Sequence, residues 1–276
     1  MVRLRFRSVL LVSLVALTIF LSGVTSAFAQ TSPVEVTFPS GKLVLHGFIY
    51  KPEGKGRFPA VLWNHGSEAR PGWLPELGPT FTSKGYVLFI PHRRGQGRSP
   101  GEYIMNALER EEKAGGAAAR NKKLVELMET QMEDQIAALA YLRALPYVDP
   151  NRISVAGCSF GGIQTILAAE QGLGLRVAID FAGAAQTWKE SPELRDRLLR
   201  AVRQAKMPVL FIQAENDYDL TPSRTLAHEL EKLNKPQKIL IFPSFGKTAQ
   251  DGHEFCVRGS EFWAAKVFSF LDQATH

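Results

Sequence analysis

The hydrophobic residues of this chain form short continuous runs that alternate with segments of helical spacing. Runs at residues 59–63, 86–90 and 209–213 are almost wholly apolar, which is typical of strands covered on both faces in a parallel sheet. Two further runs, 34–38 and 43–50, are joined through a turn-rich Pro-Ser-Gly link, which indicates an antiparallel start. The pattern predicts a doubly wound α/β domain of about eight strands. The remaining predicted strands are 153–156, 176–181 and 239–242.

One segment, residues 101–133, interrupts this alternation. It is rich in charge and lacks a strand-like run, and apolar residues then recur at helical spacing from Leu124 to Leu142, before Pro146. We interpret it as a small helical insertion that leads into the helix before the fifth strand. Two roles stay open for it, a partial lid over an active site or a solvated helical excursion.

The first 29 residues have the pattern of a secretory signal peptide. Arg3, Arg5 and Arg7 precede an apolar stretch at 9–21, and Ala27-Phe28-Ala29 has the small residues of a cleavage site. The stretch is shorter than the ~20 residues of a spanning helix, so we expect cleavage rather than a retained membrane anchor. We therefore expect an exported protein, periplasmic or secreted, with no stable membrane span once the signal is removed. Residues 30–276, about 247 in number, suffice for one α/β domain.

Charge and cysteine content narrow the possible partners. The formal net charge is +6, and the signal arginines supply half of it, so the mature chain stands near about +3. No Lys/Arg block or aromatic RNA-binding motif is present, which argues against nucleic acid. The two cysteines, Cys158 and Cys256, are too few for a disulfide framework. We expect two buried thiols, because a disulfide requires Cα atoms within about 7 Å; a bond between them is the alternative.

The pentapeptide Gly157-Cys158-Ser159-Phe160-Gly161 matches the pattern Gly-x-Ser-x-Gly. A strand-like run precedes it and a helix-like run, 162–169, follows, which is the context of a nucleophile elbow. The flanking glycines permit a strained turn that projects the hydroxyl clear of the backbone. The pattern predicts Ser159 as a nucleophile. Cys158 is excluded, because moving the motif back by one would place Phe160 where a glycine is needed.

A serine hydroxyl needs an imidazole to take its proton and a carboxylate to orient that imidazole. In proteins with a nucleophile elbow, the order along the chain is serine, acid, histidine, so the base is expected after Ser159. His253 lies in a loop after the last predicted strand, whereas His228 falls in a helical run and His276 is the terminal residue. We predict His253 as the base.

The acid is expected just after the seventh strand, where three carboxylates occur in Glu215-Asn216-Asp217-Tyr218-Asp219. Asp217 is preferred because it falls in the turn between that strand and the helix that begins at Thr221-Pro222. Asp219 is the second choice, since it also suits a helix cap, and Glu215 is the third.

Acyl transfer also requires donors for the developing oxyanion. We predict the backbone N–H of Phe160 as one donor and the N–H of Ser67, in the loop after the third strand, as the other; Gly66 is the second choice. His65 is expected to be structural, with its ring bonded to nearby backbone. No zinc-helix spacing is present, so we expect no metal and no cofactor. The arginines of loop 92–99 are expected to pair with carboxylates rather than to bind phosphate.

With these residues in place, the chain resembles the α/β-hydrolase superfamily, in particular dienelactone-hydrolase-like and prolyl-oligopeptidase-type serine hydrolases. The resemblance covers nearly all of the mature chain. It rests on His65-Gly66, Arg94-Gly95-Gln96-Gly97-Arg98-Ser99, residues 148–153, Gly157-Cys158-Ser159-Phe160-Gly161-Gly162, Glu215-Asn216-Asp217 and Gly252-His253-Glu254-Phe255.

The resemblance implies an α/β-hydrolase fold, with a mostly parallel eight-stranded sheet flanked by helices, and a Ser159-Asp217-His253 triad. Dienelactone hydrolases carry a cysteine as nucleophile, so Ser159 points instead to a serine esterase that acts on a small-molecule ester through an acyl-enzyme. Prolyl-oligopeptidase relatives usually carry an N-terminal propeller, for which about 247 residues leave no space. A serine peptidase that acts on small peptides is therefore the second expectation. Phe160, Trp188, Tyr218 and Met105 are candidates for the substrate pocket.

Overall fold

The computed structural model describes residues 32–275. The signal peptide predicted for residues 1–29 lies outside the described residues. Within the described range, no helix has both the length and the apolar character needed to cross a membrane.

The centre of the fold is one eight-stranded sheet. Its strands are β1 (Val34–Ser40), β2 (Leu43–Tyr50), β3 (Phe58–Asn64), β4 (Val87–Pro91), β5 (Val148–Cys158), β6 (Ala178–Phe181), β7 (Val209–Ala214) and β8 (Gln237–Phe242). They are ordered β1-β2-β4-β3-β5-β6-β7-β8. β1 pairs with β2, and β2 with β4, in antiparallel fashion, whereas every later pairing is parallel. The eight predicted strands and the mostly parallel sheet are confirmed.

Helices cover both faces of the sheet. They are α1 (Leu77–Thr82), α2 (Ile104–Ala144), α3 (Phe160–Gln171), α4 (Pro192–Gln204), α5 (Thr221–Lys232), α6 (Ala249–His253), α7 (Phe255–Arg258) and α8 (Ser260–Thr275). One buried cluster includes Met128 of α2, Ile163 of α3 and Leu198 of α4. A second cluster, on the opposite face, includes Phe81 of α1 and Trp263 of α8. Strands β3 to β7 are thus buried on both sides, which explains their continuous apolar runs.

The segment at 101–133 differs from its prediction in one respect. It is helical from residue 104 onwards, and the 41-residue α2 consists of two helices that meet at a kink. The kink lies at Gly116, whose φ of 71° falls in the left-handed region, so the insertion ends there and not at residue 133. Residues 112–118 are exposed, whereas the part after Leu124 packs into the core.

The parallel strands bring several chain segments to one edge of the sheet. The carboxyl ends of β3, β5, β7 and β8 lie at the same edge of the sheet, because these strands run in the same direction. Ligand sites of open α/β sheets lie outside this edge. The segments that follow these four strands carry the predicted donor loop, nucleophile, acid and base.

Candidate active site

Ser159 lies on a sharp turn between β5 and α3. Its φ of 58° and ψ of −117° fall outside the ordinary L-residue regions, and its N–H donates to the Phe181 carbonyl at 2.9 Å. A Cβ on Gly161 would meet the backbone of Asn64, and one on Gly157 would meet the backbone of Gly161. The glycines on either side of the serine are therefore required by backbone contacts, as the elbow pattern predicts.

The side chains of Ser159, His253 and Asp217 form one continuous hydrogen-bonded chain. Ser159 Oγ lies 2.9 Å from His253 Nε2, and His253 Nδ1 lies 2.9 Å from Asp217 Oδ1. A carboxylate accepts only, so Nδ1 carries the imidazole proton and Nε2 is left to accept from the serine hydroxyl. The imidazole is thus held in the tautomer that a general base needs.

Asp217 is buried and has both carboxylate oxygens occupied. Oδ1 also accepts from the N–H of Tyr218 at 2.7 Å, and Oδ2 accepts from Gln213 Nε2 at 2.9 Å. Of the two other candidate acids, Asp219 accepts from the N–H of Thr221 at the start of α5, and Glu215 is exposed. The structure therefore brings Asp217, and neither alternative, against His253.

His253 ends the short helix α6, and that segment is held by polar side chains. Thr248 and Asp251 form a capping box at its start. The N–H of Lys247 and the Thr248 hydroxyl and N–H all donate to Asp251, which lowers the pKa of that carboxyl. The Asn216 side chain adds a bridge from the acid loop, because its amide donates to the carbonyl oxygen of Thr248 at 2.8 Å.

A disulfide joins Cys158 to Cys256, and the expectation of two free thiols is wrong. Their Cα atoms are 6.0 Å apart, within the range that a disulfide spans. The proximity follows from the site itself: Cys158 precedes Ser159 and Cys256 follows His253 by three residues, so the hydrogen bond between serine and histidine brings the cysteines together. The bond ties the elbow directly to the histidine segment.

The loop after β3 is buried and fixed by neighbouring polar groups. His65 Nδ1 lies 3.0 Å from the Gly66 carbonyl, and its Nε2 lies 3.3 Å from the N–H of Arg93. Burial, with the charge of Arg93 adding to it, lowers the pKa of His65 well below its usual range. The ring is therefore neutral and bonded to backbone, which agrees with the structural role expected for it.

Two arginines of loop 92–99, Arg94 and Arg98, pair with carboxylates, as expected. Arg94 Nη2 lies 2.7 Å from Asp134 Oδ1, and Arg94 Nε donates to Asp134 Oδ2 at 2.9 Å. Arg98 pairs with Glu35 at 2.8 Å. The Asp134 pair fastens the loop to α2.

A cavity of about 460 Å³ opens beside Ser159. Its wall joins the donor loop to the histidine segment and includes both disulfide cysteines; its lining residues are Trp63, His65, Gly66, Ser67, Glu68, Leu74, Tyr103, Cys158, Ser159, Gln186, Gln250, His253, Glu254, Cys256, Val257 and Arg258. Of the predicted pocket residues, Phe160 and Trp188 are core residues and Met105 packs against the core. Tyr218 lines a smaller adjoining depression of about 300 Å³. The aromatic residues near the motif were thus a poor guide, because most of them fill the core.

The two N–H groups predicted as oxyanion donors belong to Phe160, which follows Ser159 in the chain, and to Ser67, which lines the cavity. The turn, loop and cap hydrogen bonds of the described residues include none from the N–H of Phe160 or of Ser67. Phe160 opens α3, where the helix dipole favours negative charge. Ser67 lines the cavity beside Ser159. No group of three His, Cys, Asp or Glu side chains in the described chain is arranged to hold a metal ion.

Several residues near the site belong to none of the motifs that the sequence analysis used. Gln213 orients Asp217, and the Tyr103 hydroxyl donates to the Ser67 carbonyl at 2.6 Å. Asp180 is fully buried on β6, where its Oδ1 accepts from the N–H of Gly183 at 2.9 Å. Burial, with the charge of Asp217 adding to it, raises the pKa of Asp180 to about 7 against the lowering effect of that one hydrogen bond. Gln213 and Asp180 share one sequence signal, a polar residue inside an apolar strand.

A mostly parallel eight-stranded sheet, a serine on a strand-to-helix elbow, and a histidine and a carboxylate on later loops define an α/β-hydrolase. The model of the dienelactone hydrolase family matches residues 45–273. The chain therefore belongs to the dienelactone hydrolase family.

Proteins with several different names are similar to this chain. The quorum-quenching protein AidA of Acinetobacter baumannii (strain MDR-ZJ06) is 27% identical over 139 residues, which are 50% of this chain and 40% of that protein. The uncharacterized peptidase YtmA of Bacillus subtilis (strain 168) is 24% identical over 241 residues, 76% of this chain and 84% of YtmA. The acylaminoacyl peptidase of Pyrococcus horikoshii superposes with a TM-score of 0.70 at 22% identity, over 90% of this chain and 42% of that one. This chain thus spans less than half the length of two of these three proteins.

Proposed function

We propose that this protein is a serine hydrolase that cleaves small carboxylic esters through an acyl-enzyme. The observation that carries the proposal is the hydrogen-bonded chain from Ser159 Oγ through the His253 ring to Asp217, with 2.9 Å at each step. Nucleophile and base lie within hydrogen-bond reach, and the base is oriented by a third group, which is the arrangement of an activated serine. The adjoining cavity is of the size that small-molecule sites have.

Each side chain has one role in the proposed reaction. Ser159 Oγ attacks the ester carbonyl carbon while His253 Nε2 accepts the hydroxyl proton, and a tetrahedral intermediate forms. The imidazolium then returns that proton to the departing alcohol, which leaves an acyl group on Ser159. A water molecule, deprotonated by His253, hydrolyses this acyl-enzyme and regenerates the serine. Asp217 holds the imidazole in its tautomer and stabilises the imidazolium.

The negative charge of the intermediate is placed on the former carbonyl oxygen. In the proposal the N–H groups of Phe160 and Ser67 donate to this oxyanion. In the proposal both groups are backbone donors that are in place before the charge develops, which is what makes such a site effective. The start of α3 adds the favourable end of its helix dipole.

The direct test is hydrolysis of a short-chain p-nitrophenyl ester by the wild type and by Ser159→Ala. We expect the Ser159→Ala variant to lose the activity, and Ser83→Ala, a substitution of an exposed serine after α1, to keep it. A fluorophosphonate probe should label the wild type and the Ser83→Ala variant at Ser159. Equal hydrolysis by the wild type and Ser159→Ala would refute the proposal.

A serine peptidase is the second candidate, favoured by the similarity to YtmA, an uncharacterized peptidase, and to the acylaminoacyl peptidase of Pyrococcus horikoshii. The same triad chemistry cleaves amides, but the leaving amine is harder to expel than an alcohol. Matched ester and amide substrates with the same acyl group separate the two candidates. A kcat/KM that is higher for the amide would favour the peptidase.

We also propose that the protein is exported and that the signal segment is removed before Gln30. The support is the arginine, apolar and Ala-Phe-Ala pattern of residues 1–29, together with a disulfide, which persists in oxidising compartments. Intact-mass analysis of protein recovered from the periplasm of a bacterial host should show a chain that begins at Gln30. Recovery of the chain with Met1 retained would contradict cleavage.

A further inference from the structure

Arg93 is a buried cation without a carboxylate partner at ion-pair distance among the described residues. Its guanidinium donates instead to two consecutive backbone carbonyls: Nη1 to His65 at 2.8 Å and Nη2 to Gly66 at 2.6 Å. Burial lowers the pKa of Arg93 to about 10, so the group remains a cation at neutral pH. A buried charge has a high free-energy cost unless it is paired or hydrogen-bonded. The two carbonyl groups offset the cost of burying the Arg93 cation.

The Gly66 carbonyl receives further donors besides Arg93. His65 Nδ1 lies 3.0 Å from it and Gln96 Nε2 lies 3.4 Å from it. These contacts fix the direction of the peptide plane that links Gly66 to Ser67. In a planar trans peptide the C=O and N–H point in opposite directions, and the described chain has no cis peptide. The Ser67 N–H is therefore directed away from the Arg93 guanidinium.

The neighbouring peptide is fixed separately. The Tyr103 hydroxyl donates to the Ser67 carbonyl at 2.6 Å, so the peptide planes on both sides of Ser67 are restrained. Gly66 and Ser67 line the cavity that also contains Ser159 and His253. A donor that faces away from Arg93 and borders this cavity is suitably placed for an oxyanion.

We propose that Arg93 is a positioning residue for the oxyanion site, because it aims and polarises the Ser67 N–H through the Gly66 carbonyl. A charge-assisted hydrogen bond to a carbonyl withdraws electron density from the peptide, and this makes the N–H of the same peptide a stronger donor. The effect is greatest when the acceptor is an anion, so it favours the tetrahedral intermediate over the bound ester. This inference rests on the proposed serine-hydrolase function.

The test compares an oxo ester with its thiono counterpart, in which the carbonyl oxygen is replaced by sulfur. Sulfur is larger and accepts hydrogen bonds poorly, so an enzyme that uses an oxyanion site prefers the oxo ester. Arg93→Met and Arg93→Lys should lower kcat for the oxo ester with little change in KM. They should also reduce the oxo-to-thiono ratio of kcat/KM by about tenfold or more, since losing a whole oxyanion donor costs about 10²–10³.

This ratio is insensitive to partial misfolding, because the concentration of active enzyme cancels. Arg98→Met is the matched control: it removes an exposed arginine of the same loop, paired with Glu35, and should leave the ratio unchanged. An unchanged ratio in both Arg93 variants would overturn the inference, even if their total activity fell.

A second measurement does not require activity. The amide proton and nitrogen resonances of Ser67 should lie downfield in the wild type and move upfield in Arg93→Met. Absence of Ser159-dependent hydrolysis in the wild type would refute the proposed function, whereas an Arg93-independent Ser67 resonance would refute the effect of Arg93 on this peptide. The two failures are thus distinguishable.

Discussion

The two sides of Ser159 are held in place by different means. On the base side, His253 lies beyond residues 237–251, none of which is buried, and a disulfide ties its segment to the elbow. On the oxyanion side, the donor loop continues a run, 59–66, in which every residue is buried, and hydrogen bonds from Arg93 hold it. A segment that is only partly buried has fewer packing contacts than a buried one, and the covalent bond adds a restraint to those that it has. A buried loop has its position set by the core and needs only to have its peptide directions fixed.

The energetic scales of the two restraints also differ. In the chain-entropy model, a disulfide that spans 98 residues stabilises the fold by roughly 4–5 kcal/mol. A hydrogen bond to a charged group contributes about 1.5–3 kcal/mol. The base side therefore depends on one covalent bond, which reduction can break. The oxyanion side depends on several hydrogen bonds, each of which contributes less free energy. The oxo-to-thiono ratio separates the sides experimentally, since damage to the base side should slow both esters alike.

The largest effect is expected from Asp217→Asn. The amide would no longer stabilise the imidazolium and would favour the wrong tautomer, so kcat should fall about 10⁴-fold while the oxo-to-thiono ratio stays constant. Steady-state kinetics with both esters measure this. Asp219→Asn is the matched control and should change kcat little, because Asp219 bonds the start of α5. Similar losses in the two variants would argue against Asp217 as the orienting acid.

The second prediction concerns the disulfide. Replacing both cysteines, as Cys158→Ser with Cys256→Ser, should lower the free energy of unfolding by up to about 4–5 kcal/mol, as measured by denaturant titration. The kcat should also fall, because His253 is less well restrained, and both esters should be affected equally. A reducing agent should reproduce these changes in the wild type and have no effect on the double variant. A disproportionate loss for the oxo ester would show that the bond also orders the oxyanion side.

On the oxyanion side, Ser67→Pro removes the N–H proposed as a donor. We expect kcat for the oxo ester to fall about 10²–10³-fold, with a much smaller loss for the thiono ester. Ser67→Gly keeps the N–H and should retain most of the activity. If the proline variant matched the glycine variant, Gly66 would become the candidate donor in place of Ser67.

The smallest effect concerns Asp180, the buried carboxyl on β6 whose pKa is raised by burial and by the charge of Asp217. Its native pKa of about 7 lies above the ordinary value of 3.8, so between these values the native state binds more protons than the unfolded chain. Stability should therefore fall as pH rises through this window. Asp180→Asn is neutral throughout, so its stability relative to the wild type should improve from pH 5 to pH 8 by up to about 3 kcal/mol. An equal difference at the two pH values, measured by urea unfolding, would contradict a raised pKa.

The strands were predictable because each buried parallel strand is a continuous apolar run with turn residues at its ends. The residues Ser159, Asp217 and His253 were also predictable as a set, since chain order and position after a strand are both visible in sequence. Their catalytic roles stay predictions until the variants are measured. The disulfide was predicted wrongly, although the predicted contact between Ser159 and His253 already implies that Cys158 and Cys256 lie near each other. Whether their Cα atoms approach to 6.0 Å depends on the packed geometry of the two segments, which the sequence does not give.

Arg93 illustrates a different limit. It stands beside Arg94 in the sequence, and both were expected to pair with carboxylates, but only Arg94 reaches one. The two side chains point to opposite environments at the end of β4, one towards α2 and the other towards the carbonyls of the donor loop. The direction in which each side chain points is set by the packed structure, so it cannot be predicted from residue type or spacing.

The disulfide between Cys158 and Cys256 also affects how the protein should be produced. A chain made in a reducing cytosol would present the same sequence, and the same triad residues, without the bond that joins their two segments. Preparations from cytosolic and oxidising expression routes should therefore differ in specific activity and heat tolerance while giving identical bands on a reducing gel. A free-thiol titration of each batch is thus a necessary quality control before turnover numbers from different laboratories are compared.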